Sequence, residues 1–206
     1  MKMPRSFAVL LSLGALAPAA QAQTLGDLTC ATRQLPSDLR VDLRSRYREG
    51  GLATVFDSPF FTRPDVVEKV VANCVDVSKP GHEARSAALG RALASYEVAN
   101  AAGLVLRSRH KLETGALDGA WAMLSAKHRQ TFAAFARAAR EVPQDSLIDA
   151  VGAFLALLRP ASDPAATAAD KALVADAIAY AAMRAQLETI VGPTTPSPAG
   201  RPEPRG

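Results

Sequence analysis

The sequence predicts an all-α fold: a single-domain bundle of about six to seven helices carrying a disordered, proline-rich C-terminal tail. Three observations lead there. Apolar residues recur at intervals of three and four, no segment sustains the alternation of a half-buried strand, and alanine is abundant while aromatic residues make up only 5%.

The first 22 residues are expected to be a signal peptide rather than part of the fold. Met-Lys-Met-Pro-Arg supplies a short positive region, "SFAVLLSLGALAPAA" an apolar run, and Ala20-Gln21-Ala22 a small-residue cleavage site. The apolar run is short for a retained anchor. Cys30 follows "DLT" well past that run, which disfavours lipid attachment there. With Lys2 and Arg5 gone, the 24 basic residues fall to 22 against 20 acidic ones. A chain so close to neutral, with no block of like charges, gives no reason to expect nucleic-acid binding. Residues 23–191 then form the helical domain and 192–206 the tail. The expected compartment is a bacterial periplasm or the exterior, with no membrane span after cleavage.

In that compartment the two cysteines, Cys30 and Cys74, are expected to form one disulfide. A short first helix covers Leu25 to Gln34 and carries Cys30. After Pro36, Ser37 is placed to cap a second helix with Leu39, Leu43 and Tyr47 along one side, ended by Gly50-Gly51. The loop "TVFDSPFFTRPD" brings Phe56, Phe60 and Phe61 over the core as a plug. Thr62, Pro64 and Asp65 resemble a capping box that opens the helix "DVVEKVVANCVDV", on whose apolar side Cys74 lies with Val67, Val70 and Val71.

A long helix runs from about Glu83 to Glu113, with Gly115 as its stop. Asp118 then caps a helix reaching about Arg140, in which Leu117, Trp121, Leu124, His128, Phe132, Phe135 and Ala139 repeat at helical spacing. Asp145 starts a helix containing Leu147, Val151, Phe154, Leu155 and Leu158. Asp163-Pro164 starts the last, with Leu173, Ala177, Tyr180 and Leu187 on one face before Gly192-Pro193. The tail holds five prolines and three glycines in fifteen residues, so it can bury almost nothing.

The long helix carries the candidate site. Tyr96, Asn100, Gly103, Arg107 and His110 fall within about one third of its circumference, while Ala94, Val98, Ala101, Ala102 and Val105 occupy the other side. Folded back as an antiparallel hairpin, the next helix would set His128 opposite Asn100 and Arg107. Two readings of that stripe follow. In one, His128 or His110 is a general base, Arg107 holds an anionic substrate group and Tyr96 or Glu97 assists. In the other, the same groups satisfy one another and fix helix register.

No nucleophile elbow, phosphate-cradling glycine loop, haem-attachment motif or zinc-binding His-Glu-x-x-His is present, so neither a cofactor nor a metal is expected. His110 and Glu113 share a face but lack a second such pair. The leading expectation is an exported bacterial protein acting through binding or as an accessory to an envelope protein partner. Its rivals are a small helical enzyme working from Tyr96, Arg107, His110 and His128, with Asn100 in support, and a carrier of a small apolar ligand. An open cleft beside Arg107 and His128 would favour the rivals; a packed, mutually bonded cluster would not.

Overall fold

The computed structural model describes residues 18–113, 115–159 and 170–192, all helices and their connections, with no strand among them. Most of the expected leader and nearly all of the expected tail lie outside these residues, as does Asp163-Pro164. Ala20, Gln21 and Ala22 lie within the first helix, α1 (Pro18–Gln34).

The second helix, α2 (Ser37–Gly50), buries Leu39, Leu43 and Tyr47 at i, i+4 and i+8. Pro36, rather than Ser37, occupies the N-cap position, and no side chain caps the helix. At its end Gly51 takes φ +64°, a backbone few side chains tolerate, and donates its N–H to Tyr47 O at 2.7 Å.

The phenylalanine loop folds into two single turns, α3 (Leu52–Val55) and α4 (Pro59–Thr62). Ser58, a capping residue the sequence reading passed over, accepts from Phe60 N and donates to Asp42 Oδ2 at 2.7 Å. Phe60 is buried, and Phe56 and Phe61 pack half-buried beside it. The expected capping box does not form. Thr62 Oγ1 turns back to Ser58 O, Asp65 pairs loosely with Arg63, and α5 (Pro64–Cys74) begins on its proline without a side-chain cap.

The longest helix, α6 (His82–His110), is apolar on several sides because several helices cover it. It stops three residues earlier than expected. Lys111 adopts a left-handed conformation at φ +54°, and Arg159 Nη2 donates to His110 O at 2.7 Å, satisfying a terminal carbonyl. Gly115 is therefore not the stop of α6 but the start of α7 (Ala116–Met123).

The expected single helix over 118–140 is two. Leu124 is extended at ψ 135°, and Ser125 caps α8 (Ala126–Ala138) by accepting from His128 N at 3.2 Å. A short 3₁₀ turn follows, then α9 (Gln144–Leu158) and α10 (Lys171–Val191). Trp121, Phe132, Phe154 and Tyr180 bring α7, α8, α9 and α10 together, with ring centroids 6.1–6.5 Å apart.

The central pair is α6 with α10, which run antiparallel: His110 meets Asp176, and Gly103 abuts Tyr180. α10 thus takes the place expected for the segment after residue 115. On the other flank Cys30 of α1 is bonded to Cys74 at the end of α5, with Cα atoms 5.8 Å apart. Asp27 and Arg85 add a half-buried ion pair at 2.9 Å that holds α1 to α6. Among the described residues no helix is long and apolar enough to cross a membrane.

Candidate functional site

Four of the five stripe residues, Tyr96, Asn100, Gly103 and Arg107, line a cleft of about 440 Å³ between α1, α6, α7 and α10. Its apolar lining comes from Leu25 and Leu28 of α1, Leu117 of α7 and Leu187 of α10, with Thr29 and Thr32 of α1 beside them. Leu117 and Tyr180 pack close over Gly103, 3.4 Å from where a Cβ would stand, which is ordinary van der Waals contact.

Asp118, Tyr180 and Arg184 complete the polar wall. Asp118 Oδ1 accepts from the Tyr180 hydroxyl at 3.5 Å and lies 3.9 Å from Arg184 Nη1. Burial pushes the Tyr180 phenol up to about 12, so it stays neutral and donates. Arg184 also approaches Glu188 at 3.6 Å, and Glu188 accepts from Trp121 Nε1 at 2.8 Å. Arg107 stands exposed at the cleft and makes no ion pair or hydrogen bond among the described residues.

His110, the fifth stripe residue, belongs elsewhere. It is 8% exposed, with Nε2 3.4 Å from Asp176 Oδ2 and Nδ1 3.5 Å from Asp170 Oδ2. Asp176, also buried, accepts from the Tyr47 hydroxyl at 3.2 Å and from Arg109 Nη1 at 3.3 Å. Arg109 in turn donates to Arg48 O. One carboxylate therefore ties the end of α2, the end of α6 and the start of α10. Burial and the adjoining Asp176 charge push the Tyr47 phenol upward. Asp170 caps α10 through Leu173 N at 3.0 Å, and that bond holds its carboxyl below the usual range.

His128 does not join Asn100 and Arg107. The break at Leu124–Ser125 turns α8 off the path of α7, and His128 Nε2 lies 3.2 Å from Asp149 Oδ2 of α9, which Lys127 also contacts. Glu97, offered above as an assistant to catalysis, faces α2 instead. It is 2% exposed and 3.3 Å from Arg40 Nε, and desolvation raises its carboxyl despite Arg40 and Arg44. The residues proposed for acid-base work therefore lie apart from one another, and neither histidine lines the cleft.

Sequence reasoning missed Asp118, Tyr180 and Arg184 as cleft residues and Tyr47, Arg109, Asp170 and Asp176 as partners of His110. A signal was present for Asp176. It interrupts the apolar run "ALVADAIAYAA", where a carboxylate on a covered helix must find a partner. No known protein family, curated protein or solved structure matches the chain.

Proposed function

We propose that this is an exported bacterial protein that acts by binding, holding a small molecule in the cleft between α1, α6, α7 and α10. The observation that carries the reading is the cleft itself: a few hundred cubic ångströms, lined by Leu25, Leu28, Leu117 and Leu187 together with polar groups at Tyr96, Asn100, Arg107 and Asp118. Binding is favoured over catalysis because the two candidate histidines, His110 and His128, are engaged away from the cleft. A carboxylate does meet a hydroxyl there, Asp118 with Tyr180, but the phenol is held neutral and Asp118 also faces Arg184. Export is supported by the charged-then-apolar composition of residues 1–22 and by the Cys30–Cys74 bond, which persists in oxidising compartments.

The test is to purify the full chain from the envelope fraction of its host, unfold it and search the extract by mass spectrometry. A small molecule near one equivalent, absent from an Asn100→Trp protein whose cleft is filled, is the expected result. If both proteins release nothing and a protein partner instead co-purifies equally with both, the accessory role survives and the ligand-binding one does not. Alkylation without reductant, followed by mass measurement, should label neither cysteine, and the N-terminal residue of the isolated protein should be Gln23.

A further inference from the structure

We infer that the cleft selects a small organic anion: one carboxylate on an apolar body of about ten carbons. This rests on the binding reading above and adds the chemistry of the ligand. Charge comes first. Of the two arginines in the wall, Arg184 already faces Asp118 at 3.9 Å and Glu188 at 3.6 Å. Asp118 is further engaged by the Tyr180 hydroxyl, and Glu188 by the Trp121 indole. These groups balance one another, leaving Arg107 as the cation of the cleft without a carboxylate among the described residues.

Arg107 stands about two turns along α6 from Asn100 on the same line, so a guanidinium fork and an amide N–H border one space. A planar carboxylate matches that fork, whereas a cation would meet the like charge of Arg107 and inorganic phosphate would leave the apolar lining unfilled. Leu25, Leu28, Leu117 and Leu187 give the cleft its apolar surface, and the Thr29 and Thr32 hydroxyls beside them already donate to Leu25 O and Thr29 O. Size sets the body. At about 30 Å³ for each water-sized group, the space holds roughly fifteen non-hydrogen atoms.

The experiment is calorimetric titration of the full-length, disulfide-bonded protein with octanoate, octanol, octylamine and inorganic phosphate. Octanoate should bind more tightly than the other three. Arg107→Gln should weaken octanoate at least tenfold and leave octanol unchanged, and Asn100→Trp should abolish both. Arg107 is exposed, so its substitution should leave the melting curve of the free protein unmoved, which separates lost recognition from lost folding. Octanol binding as tightly as octanoate, with Arg107→Gln affecting neither, overturns the anion inference while the cleft remains a binding site. No probe binding even at millimolar concentration, together with no molecule extracted from the native protein, overturns both.

Discussion

Replacing Cys30 and Cys74 by serine tests how the molecule is held together and how its cleft keeps a wall. The bond closes a loop with a sequence separation of 44. On the chain-entropy account, opening a loop of that length frees the unfolded chain and lowers stability by about 4 kcal/mol at 25 °C. In a domain of this size that corresponds to a fall in melting temperature of about 8–16 °C. The native side changes less, because Leu28, Ala31 and Leu35 remain buried and Asp27 still meets Arg85. Urea unfolding of the oxidised protein and the double-serine variant, monitored by far-ultraviolet circular dichroism and Trp121 fluorescence, measures the difference. α1 supplies Leu25, Leu28, Thr29 and Thr32 to the cleft, so the variant should also bind a cleft ligand more weakly at temperatures where it is still folded. A destabilisation under about 1 kcal/mol, with coincident transitions from both probes, would refute the loop-closure argument and assign the holding of α1 to packing and the Asp27–Arg85 pair.

Asp176→Ala strips partners from Tyr47 and His110 at once and should cost about 3 kcal/mol in the same urea assay, with Asp176→Asn milder because it keeps an acceptor for Tyr47. A loss under about 1 kcal/mol would show that the three helix ends are joined by packing alone. Glu97→Gln tests the carboxyl of α6 that is buried against α2. Its folded-state pKa is raised by desolvation, so the folded protein binds a proton more tightly than the unfolded chain does. Its contribution to stability is then full below the unfolded value near 4.5 and declines as pH rises through the folded one. Denaturation from pH 4 to 8 should show wild type losing stability relative to the glutamine variant as pH rises; parallel curves would contradict the assignment. Ser125→Ala should destabilise by about 1 kcal/mol, since it removes the cap of α8. In an unbroken helix the same change would stabilise by a few tenths, so the sign of the shift reports the break.

What the sequence disclosed and what it withheld divide along a physical line. Helix faces were legible wherever burial follows spacing: Leu39, Leu43 and Tyr47 on α2, or Val151, Phe154, Leu155 and Leu158 on α9, all lie buried. Which helix meets which was less legible, because adjacency in the chain is weak guidance when a break intervenes. The even apolar spacing from Leu117 to Ala139 reads as one helix. Yet Ser125 is a capping residue in the middle of it, and its side chain competes with the helix for the backbone N–H of His128. With the helix broken there, α8 packs against α9 and α10, α10 covers α6, and the candidate site draws its residues accordingly. Tyr96, Asn100 and Arg107 then face Tyr180 and Arg184 rather than His128, and His110 finds two carboxylates that lie 60 and 66 residues further along the chain. The same stripe thus divides by depth. Where α1 and α10 leave a gap it lines a cleft with a guanidinium that has no carboxylate partner among the described residues, and where α2 and α10 close over it His110 becomes structure. A polar line on one helix therefore says where polar partners are needed, while the helices packed against it decide whether protein or ligand supplies them.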